Sequence, residues 1–139
     1  MEEAEVVKGI LSTNWNAANT GNVTPVIDVI YNRADIDARK ADFVLTYNTG
    51  AGIITHSGVK TFNHQNTVSV DMRCVVQSRF KLHVKEVKRI IEGKYLNPSS
   101  TFHRLFLVRD NDLSDRMRGL YRRVIDVIIT KDLLEVTAI

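Results

Sequence analysis

The sequence predicts an α+β fold, a mostly antiparallel β-sheet with helices packed on one face. Three observations lead there. Asn66–Val76 alternates with period two, the pattern of a strand with one buried face. It runs straight into Ser78–Gly93, where apolar residues recur at helical spacing. Two further alternating segments follow, Arg104–Arg109 and Tyr121–Ile129, and the charged stretch 110–119 between them suits a hairpin connection.

Taken in order, Glu2–Ser12 reads as a helix. Val6, Val7, Ile10 and Leu11 form one stripe, and Glu2, Glu3 and Glu5 favour its N-terminus electrostatically. Asn14–Thr24, rich in Asn, Thr and Gly, reads as a loop or frayed helix end bracketed by Trp15 and Pro25. Val26–Tyr31 is a short β-branched strand, and Pro25 suits a strand's first position because it has no N–H to give the ladder. After a polar link, Asn32–Ala41, Asp42–Tyr47 gives a second strand. Asn48–Gly52 reads as a turn or flexible loop. Ile53–Phe62 has two readings, a hairpin arm or an ordered extension.

In Asn66–Val76, Val68, Val70, Met72 and Cys74 face one way and Thr67, Ser69, Asp71 and Arg73 the other, which predicts one wet face. Phe80, Val84, Val87 and Ile91, with Ile90 beside them, line the buried side of the next helix. Lys81, Lys85 and Lys88 lie opposite, joined by Arg89. Gly93 is the expected C-cap and Asn97-Pro98 the stop. In the last strand Tyr121, Arg123, Ile125, Val127 and Ile129 oppose Arg122, Val124, Asp126 and Ile128. Apolar residues on both sides predict a strand that is central or covered on two faces. Leu133–Ile139 is apolar for a chain end, which suggests a docking strand.

The chain of 139 residues fits one domain, 1–139, long enough to bury a core. With 44% hydrophobic and 25% charged residues it falls among ordinary globular proteins and outside the disordered class. No apolar run approaches bilayer length, and the acidic opening Met-Glu-Glu-Ala-Glu is unlike a signal peptide, so a cytoplasmic setting is expected. The one cysteine, Cys74, forms no internal disulfide and supports no cysteine-built zinc site. Its apolar neighbours predict a buried, inert thiol. Residues 1–70 carry five Lys/Arg against seven Asp/Glu, and residues 71–139 carry fourteen against nine. That asymmetry points to an acidic partner or nucleic acid near the second half.

The enzymatic candidate is a Mg²⁺-dependent nuclease of the restriction-endonuclease kind. It would use Asp28 on a strand and Glu86-Val87-Lys88 as the acid–x–Lys triplet, carboxylates for the metal and lysine for the attacking water. Glu86 falls in a helix, however, whereas that motif normally lies on a strand, and a solvated helix face is the simpler explanation of the triplet. The histidines His56, His64, His83 and His103 lack a compact ligand spacing and read as exposed, although His56 and His64 flank a loop and could meet across a hairpin. Gly50-Ala-Gly52 has no P-loop tail and reads as flexibility. The basic helix face suits generic nucleic-acid affinity but lacks interleaved stacking aromatics. The loop 110–119 begins like a calcium loop, without its glycine and terminal glutamate. Its Asp112, Asp115, Arg116 and Arg118 suit either a solvated connection or salt bridges between subunits.

The order of elements resembles the tail terminator (tail-completion) proteins of long-tailed bacterial and archaeal viruses. The likeness runs through the N-terminal helix and the Pro-initiated strand to Val68-Ser-Val-Asp-Met72 and the helix His83-Val-Lys-Glu-Val-Lys-Arg-Ile-Ile91. It continues through Leu105-Phe-Leu107, Leu113-Ser-Asp-Arg116 and Arg122-Arg-Val-Ile-Asp-Val-Ile128. The resemblance implies a non-enzymatic homo-oligomer, commonly a hexameric ring. Such a ring caps the tail tube, ends its polymerisation and meets the neck or connector protein with its other face. It implies a location at the tail–neck junction of the virion, assembly in the host cytoplasm, no membrane, no cofactor and no metal. DNA would pass the lumen without specific binding, so Lys81, Lys85 and Lys88 are expected away from it. Subunit contacts are expected in three places: Ile53, Ile54, Val59 and Phe62; Asp112, Asp115, Arg116 and Arg118; and Leu133 with Leu134. A head-completion or neck adaptor protein shares this layout, and a small basic nucleic-acid-binding domain is a further alternative.

Overall fold

The computed structural model describes residues 3–56, 61–96 and 104–134. Along them run α1 (Glu3–Asn14), β1 (Val26–Val29), β2 (Phe43–His56), β3 (Thr61–Cys74), α2 (Gln77–Leu96), β4 (Arg104–Asp112) and β5 (Tyr121–Leu134). Short 3₁₀ turns occupy Ala17–Thr20, Ile30–Asn32 and Arg116–Arg118. The strands form one sheet in the order β1-β2-β3-β5-β4. Only β1 and β2 run parallel; the other three pairings are antiparallel. The expected α+β architecture, with helices on a mostly antiparallel sheet, is what the chain adopts.

Both helices pack on one face. Val7 and Leu11 of α1, and Phe80, Val84, Val87, Ile90 and Ile91 of α2, meet Val44, Val68, Val70, Met72, Cys74, Leu105, Ile125 and Val127 of the sheet. The predicted helical stripe of α2 is thus its buried side. Thr46 anchors the start of α1 by donating its hydroxyl to the Ala4 carbonyl at 2.8 Å. Asn48 Oδ1 accepts the Ala4 N–H at 3.1 Å. β5 lies between β3 and β4, the interior position that its apolar residues on both sides require.

Four expectations are corrected. Asn48–Gly52 is not a turn: β2 passes through it, and the register shifts between Thr49 and Ile53 while both flanks stay paired to β3. Pairing on both sides overrides the local turn signal of Asn and Gly, and the three residues 50–52 face only Asn66 across the bulge. Of the two readings of Ile53–Phe62, the hairpin arm is the observed one, with Ile53 opposite Gln65 and His56 opposite Phe62. Gly93 does not cap α2, which continues to Leu96; Asn97-Pro98 lies outside the described residues. Leu133 and Leu134 do not begin a separate docking strand, because they extend β5 against Phe62 and Thr61 of the same chain. Residues 135–139 are outside the described residues.

The fourth correction concerns the supposed wet face of β3. Ser69 and Asp71 are 1% and 0% exposed. Asp71 lies in a row with Leu45 and Val124, both buried, on the side away from the helices. Arg122 closes over its carboxylate from β5 with bonds of 2.9 and 3.1 Å, and Arg73 from β3 with bonds of 3.0 and 3.4 Å. Two guanidiniums satisfy the buried charge while their stems cover apolar surface.

Candidate functional site

The sheet is longer than the helices that cover it. A helix of 20 residues such as α2 reaches about 30 Å, whereas a strand of 14 residues spans about 46 Å. Two residues separate β3 from α2, so a helix of that length folded back along the strand matches only about nine of its residues. Beyond it β2, β3 and β5 continue as a three-stranded ribbon. Its rows are Ile54–His64–Lys131, Thr55–Asn63–Asp132 and His56–Phe62–Leu133; the row before them, Ile53–Gln65–Thr130, still carries Arg104 of β4.

This register brings five of the predicted interface residues to one end of the sheet: Ile54, Phe62, Leu133 and Leu134 stand on the ribbon and Ile53 at its root. Val59 lies outside the described residues. His56 and His64 are not opposed, since they pair with Phe62 and Ile54. The remaining four predicted contacts fall at the other end of the sheet. Asp112 pairs with Arg123 near the start of β5, and Asp115 bridges Leu120 in the connection before it. The expected interface therefore divides into two groups at opposite ends of 14-residue strands.

The second group is a built hairpin connection, shorter than predicted because β4 runs on to Asp112. Asp112 accepts the Ser114 N–H at 2.9 Å, and hydrogen bonding from Ser114, by its hydroxyl first and its N–H second, lowers the Asp112 carboxyl pKa. Asp115 accepts the Arg118 N–H at 3.3 Å and caps the 3₁₀ turn, which Gly119 closes at φ 66°. The two carboxylates are thus occupied within the turn, while Arg116, Met117 and Arg118 point into solvent, Met117 at 99% exposure.

Three buried polar clusters tie the elements together, and the sequence pattern assigns the centre of each, His83, Glu86 and Asp71, to solvent. His83 is 2% exposed, not exposed as expected, and its Nε2 lies 2.8 Å from Oδ2 of Asp42. Arg79 holds both oxygens of the same carboxylate. Burial pushes the Asp42 carboxyl pKa up, and the bonds from Arg79 and His83 outweigh it, leaving it lowered. Burial pushes the neighbouring Cys74 thiol up. Glu86 is likewise not on a solvated face. It is 2% exposed and accepts the Asn16 N–H, the Asn19 amide and the Arg89 guanidinium. Position was the available signal: 83 and 86 share the flank of 87 and 90 at spacings of three and four. The third cluster is Asp71 with Arg73 and Arg122.

Asp42, Cys74 and His83 offer ligand atoms within 4.8 Å of one another, which raises the question of a metal. The Asp42–His83 separation of 2.8 Å is a hydrogen-bond length. Two ligands of one tetrahedral zinc stand about 3.3 Å apart. Arg79 also places a fixed positive charge where the cation would sit. The group fits a hydrogen-bonded knot and not a metal centre.

The nuclease triad is not assembled. Asp28 is held by Asn32 and Arg33, Glu86 by Asn16, Asn19 and Arg89, and Lys88 by Asp110 at 2.8 Å. Of the basic helix face, Lys81 and Lys85 remain exposed, while Lys88 and Arg89 are taken up by carboxylates.

No protein-family model and no curated protein sequence matches this chain. Among the described residues, no helix is long and apolar enough to cross a membrane. What distinguishes the fold is its reach: a ribbon with apolar residue types at one end, an arginine-rich connection at the other, and a helical layer between them that covers only part of one face.

Proposed function

We propose that this protein is a ring-forming virion protein of the tail–neck junction, a tail terminator that caps the tail tube and joins it to the connector. The observation that carries this reading is the ribbon beyond α2. Among the described residues, Ile54, Phe62, Leu133 and Leu134 stand on strands that run on past the length of α2, with Ile53 at the root of that stretch, and this reading gives the ribbon to a neighbouring molecule. The opposite end offers Arg116 and, beside Asp115 at 3.5 Å, Arg118 on the turn that Asp115 caps and Gly119 closes. A subunit with two chemically unlike ends suits an adaptor between two different partners, the tube protein and the neck protein. Copies related by rotation close into a ring through heterologous contacts, with six as the expected number. Lys81 and Lys85 lie on the helical side, which this reading turns away from the lumen through which DNA passes.

The test is mass by light scattering over a concentration series, followed by addition of purified tube protein. A ring mass, and tubes that stop lengthening once the protein is present, are expected. A persistent monomer that leaves tube length unchanged sinks the proposal. A ring that binds connector but ignores tube ends would favour the neck adaptor.

A further inference from the structure

We infer that copies of this chain join edge to edge, the outer edge of β4 in one copy adding as a strand to the uncovered half of β2 in the next. This deepens the ring reading and rests on it. β1 pairs only with Phe43–Thr46, so among the described residues β2 has no partner on its outer side from Tyr47 onward. β4 is the last strand at the other border of the sheet. Among the described residues the sheet therefore ends in two strand edges on opposite sides with no further strand beside them, each a template for another strand.

Polarity fits the pairing. β2 and β3 are antiparallel, as are β3 and β5, and β5 and β4, so β4 runs opposite to β2. Setting β4 of one copy beside β2 of an equally oriented neighbour continues the antiparallel alternation without inverting the neighbour. A cyclic ring relates copies in that way, by rotation alone.

Register fits as well. Following the rows across the sheet, Arg109 is level with Asp126, Ser69 and Tyr47, and Arg104 is level with Thr130, Gln65 and Ile53. With strands along the ring axis and no shift between copies, Arg104–Arg109 meets Tyr47–Ile53. That window begins where β1 stops covering β2. Natural open edges are guarded by charges, lysine or proline; residues 47–55 contain no Lys, Arg, Asp, Glu or Pro. On β2 the guard is the bulge between Thr49 and Ile53; β4 has a register shift at Val108, which is 54% exposed, and carries Arg104 and Arg109 at the ends of the window, with Asp110 and Asp112 beyond it.

The experiment places cysteines on the two edges, Thr49→Cys and Val108→Cys, and joins them with a short bismaleimide under conditions where light scattering gives the ring. Cys74 is fully buried and serves as the unreactive background, verified on the unmodified chain. The double variant is expected to give a ladder rising to the ring number. An equal mixture of the two single variants stops at dimers, and neither single variant crosslinks alone. In parallel, hydrogen exchange should slow at 47–53 and 104–109 when the ring forms, a readout that needs no substitution. Dimers from Val108→Cys alone would show β4 paired with β4 about a two-fold axis and overturn the inference. A ring mass with neither ladder nor slowed exchange overturns the edge contact and leaves the ring standing. A monomer throughout overturns both.

Discussion

Glu86, in the middle of α2, accepts the backbone N–H of Asn16 at 2.7 Å across 70 positions of sequence. The same carboxylate takes the Asn19 amide at 3.1 Å and the Arg89 guanidinium at 2.9 Å, so one buried side chain fastens the segment after α1 to α2. The Arg89 bond, helped by those from Asn16 and Asn19, holds its carboxyl at a pKa of about 2 against the cost of burial.

That clasp is expected to open in acid. Its folded pKa lies below the unfolded value of about 4.3, so its contribution is complete above about pH 5. It fades as the pH falls through 4 toward 2. The shift corresponds to about 3 kcal/mol, and screening at the half-exposed Arg89 lowers this to about 2. Glu86→Gln should lose about that much at neutral pH and flatten the fall of Tm between pH 5 and 2. An unchanged acid limb in the variant would place the acid sensitivity elsewhere.

Asp71 is the second clasp, on the face without helices. Asp71→Ala leaves two half-buried guanidiniums without their anion and should cost about 3 kcal/mol in urea unfolding. Replacing the whole triad, Asp71→Leu with Arg73→Met and Arg122→Met, should recover most of that loss, since the charges are removed together. A triple variant as unstable as Asp71→Ala would mean the arginines contribute mainly by packing.

The Cys74 thiol is fully buried, and burial raises its pKa. A thiol-specific disulfide reagent at pH 8 is expected to find no reactive group in the folded protein and one per chain in denaturant. Rapid labelling of the folded chain would show that the sheet opens at the end of β3.

Two glycines should respond to alanine with opposite signs. Gly119 closes the 3₁₀ turn at φ 66°, so Gly119→Ala should destabilise by about 1 kcal/mol. Gly93 is interior to α2 with open space where a methyl would go, so Gly93→Ala should stabilise by about 0.5 to 1 kcal/mol. Thermal melts of the two variants would decide, and a loss at Gly93 would put the end of the helix nearer to where the sequence suggested.

Legibility followed the range of the forces involved. The alternation of Val68, Val70, Met72 and Cys74, and the stripe Phe80–Val84–Val87–Ile91, are local periods and could be read directly. So could the interior place of β5, because Val124 and Ile128 added apolar residues to its second side. His83 and Glu86 were assigned to solvent by residue type. Their partners Asp42 and Asn16 lie 41 and 70 positions away, where no local period reaches. Asn48–Gly52 carried the composition of a turn, and only pairing with β3 makes it a strand. The contact residues were chosen by their apolar or charged character; their separation to opposite ends of the sheet depends on register, which only the folded chain supplies.

The register of β3 against β5 has a mechanical meaning. It runs from Thr61–Leu134 to Cys74–Tyr121 without a shift, whereas the pairings of β2 and β4 are each interrupted once. A pull along the strands loads the rungs of that ladder in shear, all at the same moment, and must break them together. A sideways pull on either flank unzips rungs singly and reaches a bulge early. That ladder is expected to make the sheet stiffer along its strands than across them, and in the proposed ring a subunit standing with these strands along a tube would carry tension on its spine and take up bending at its seams.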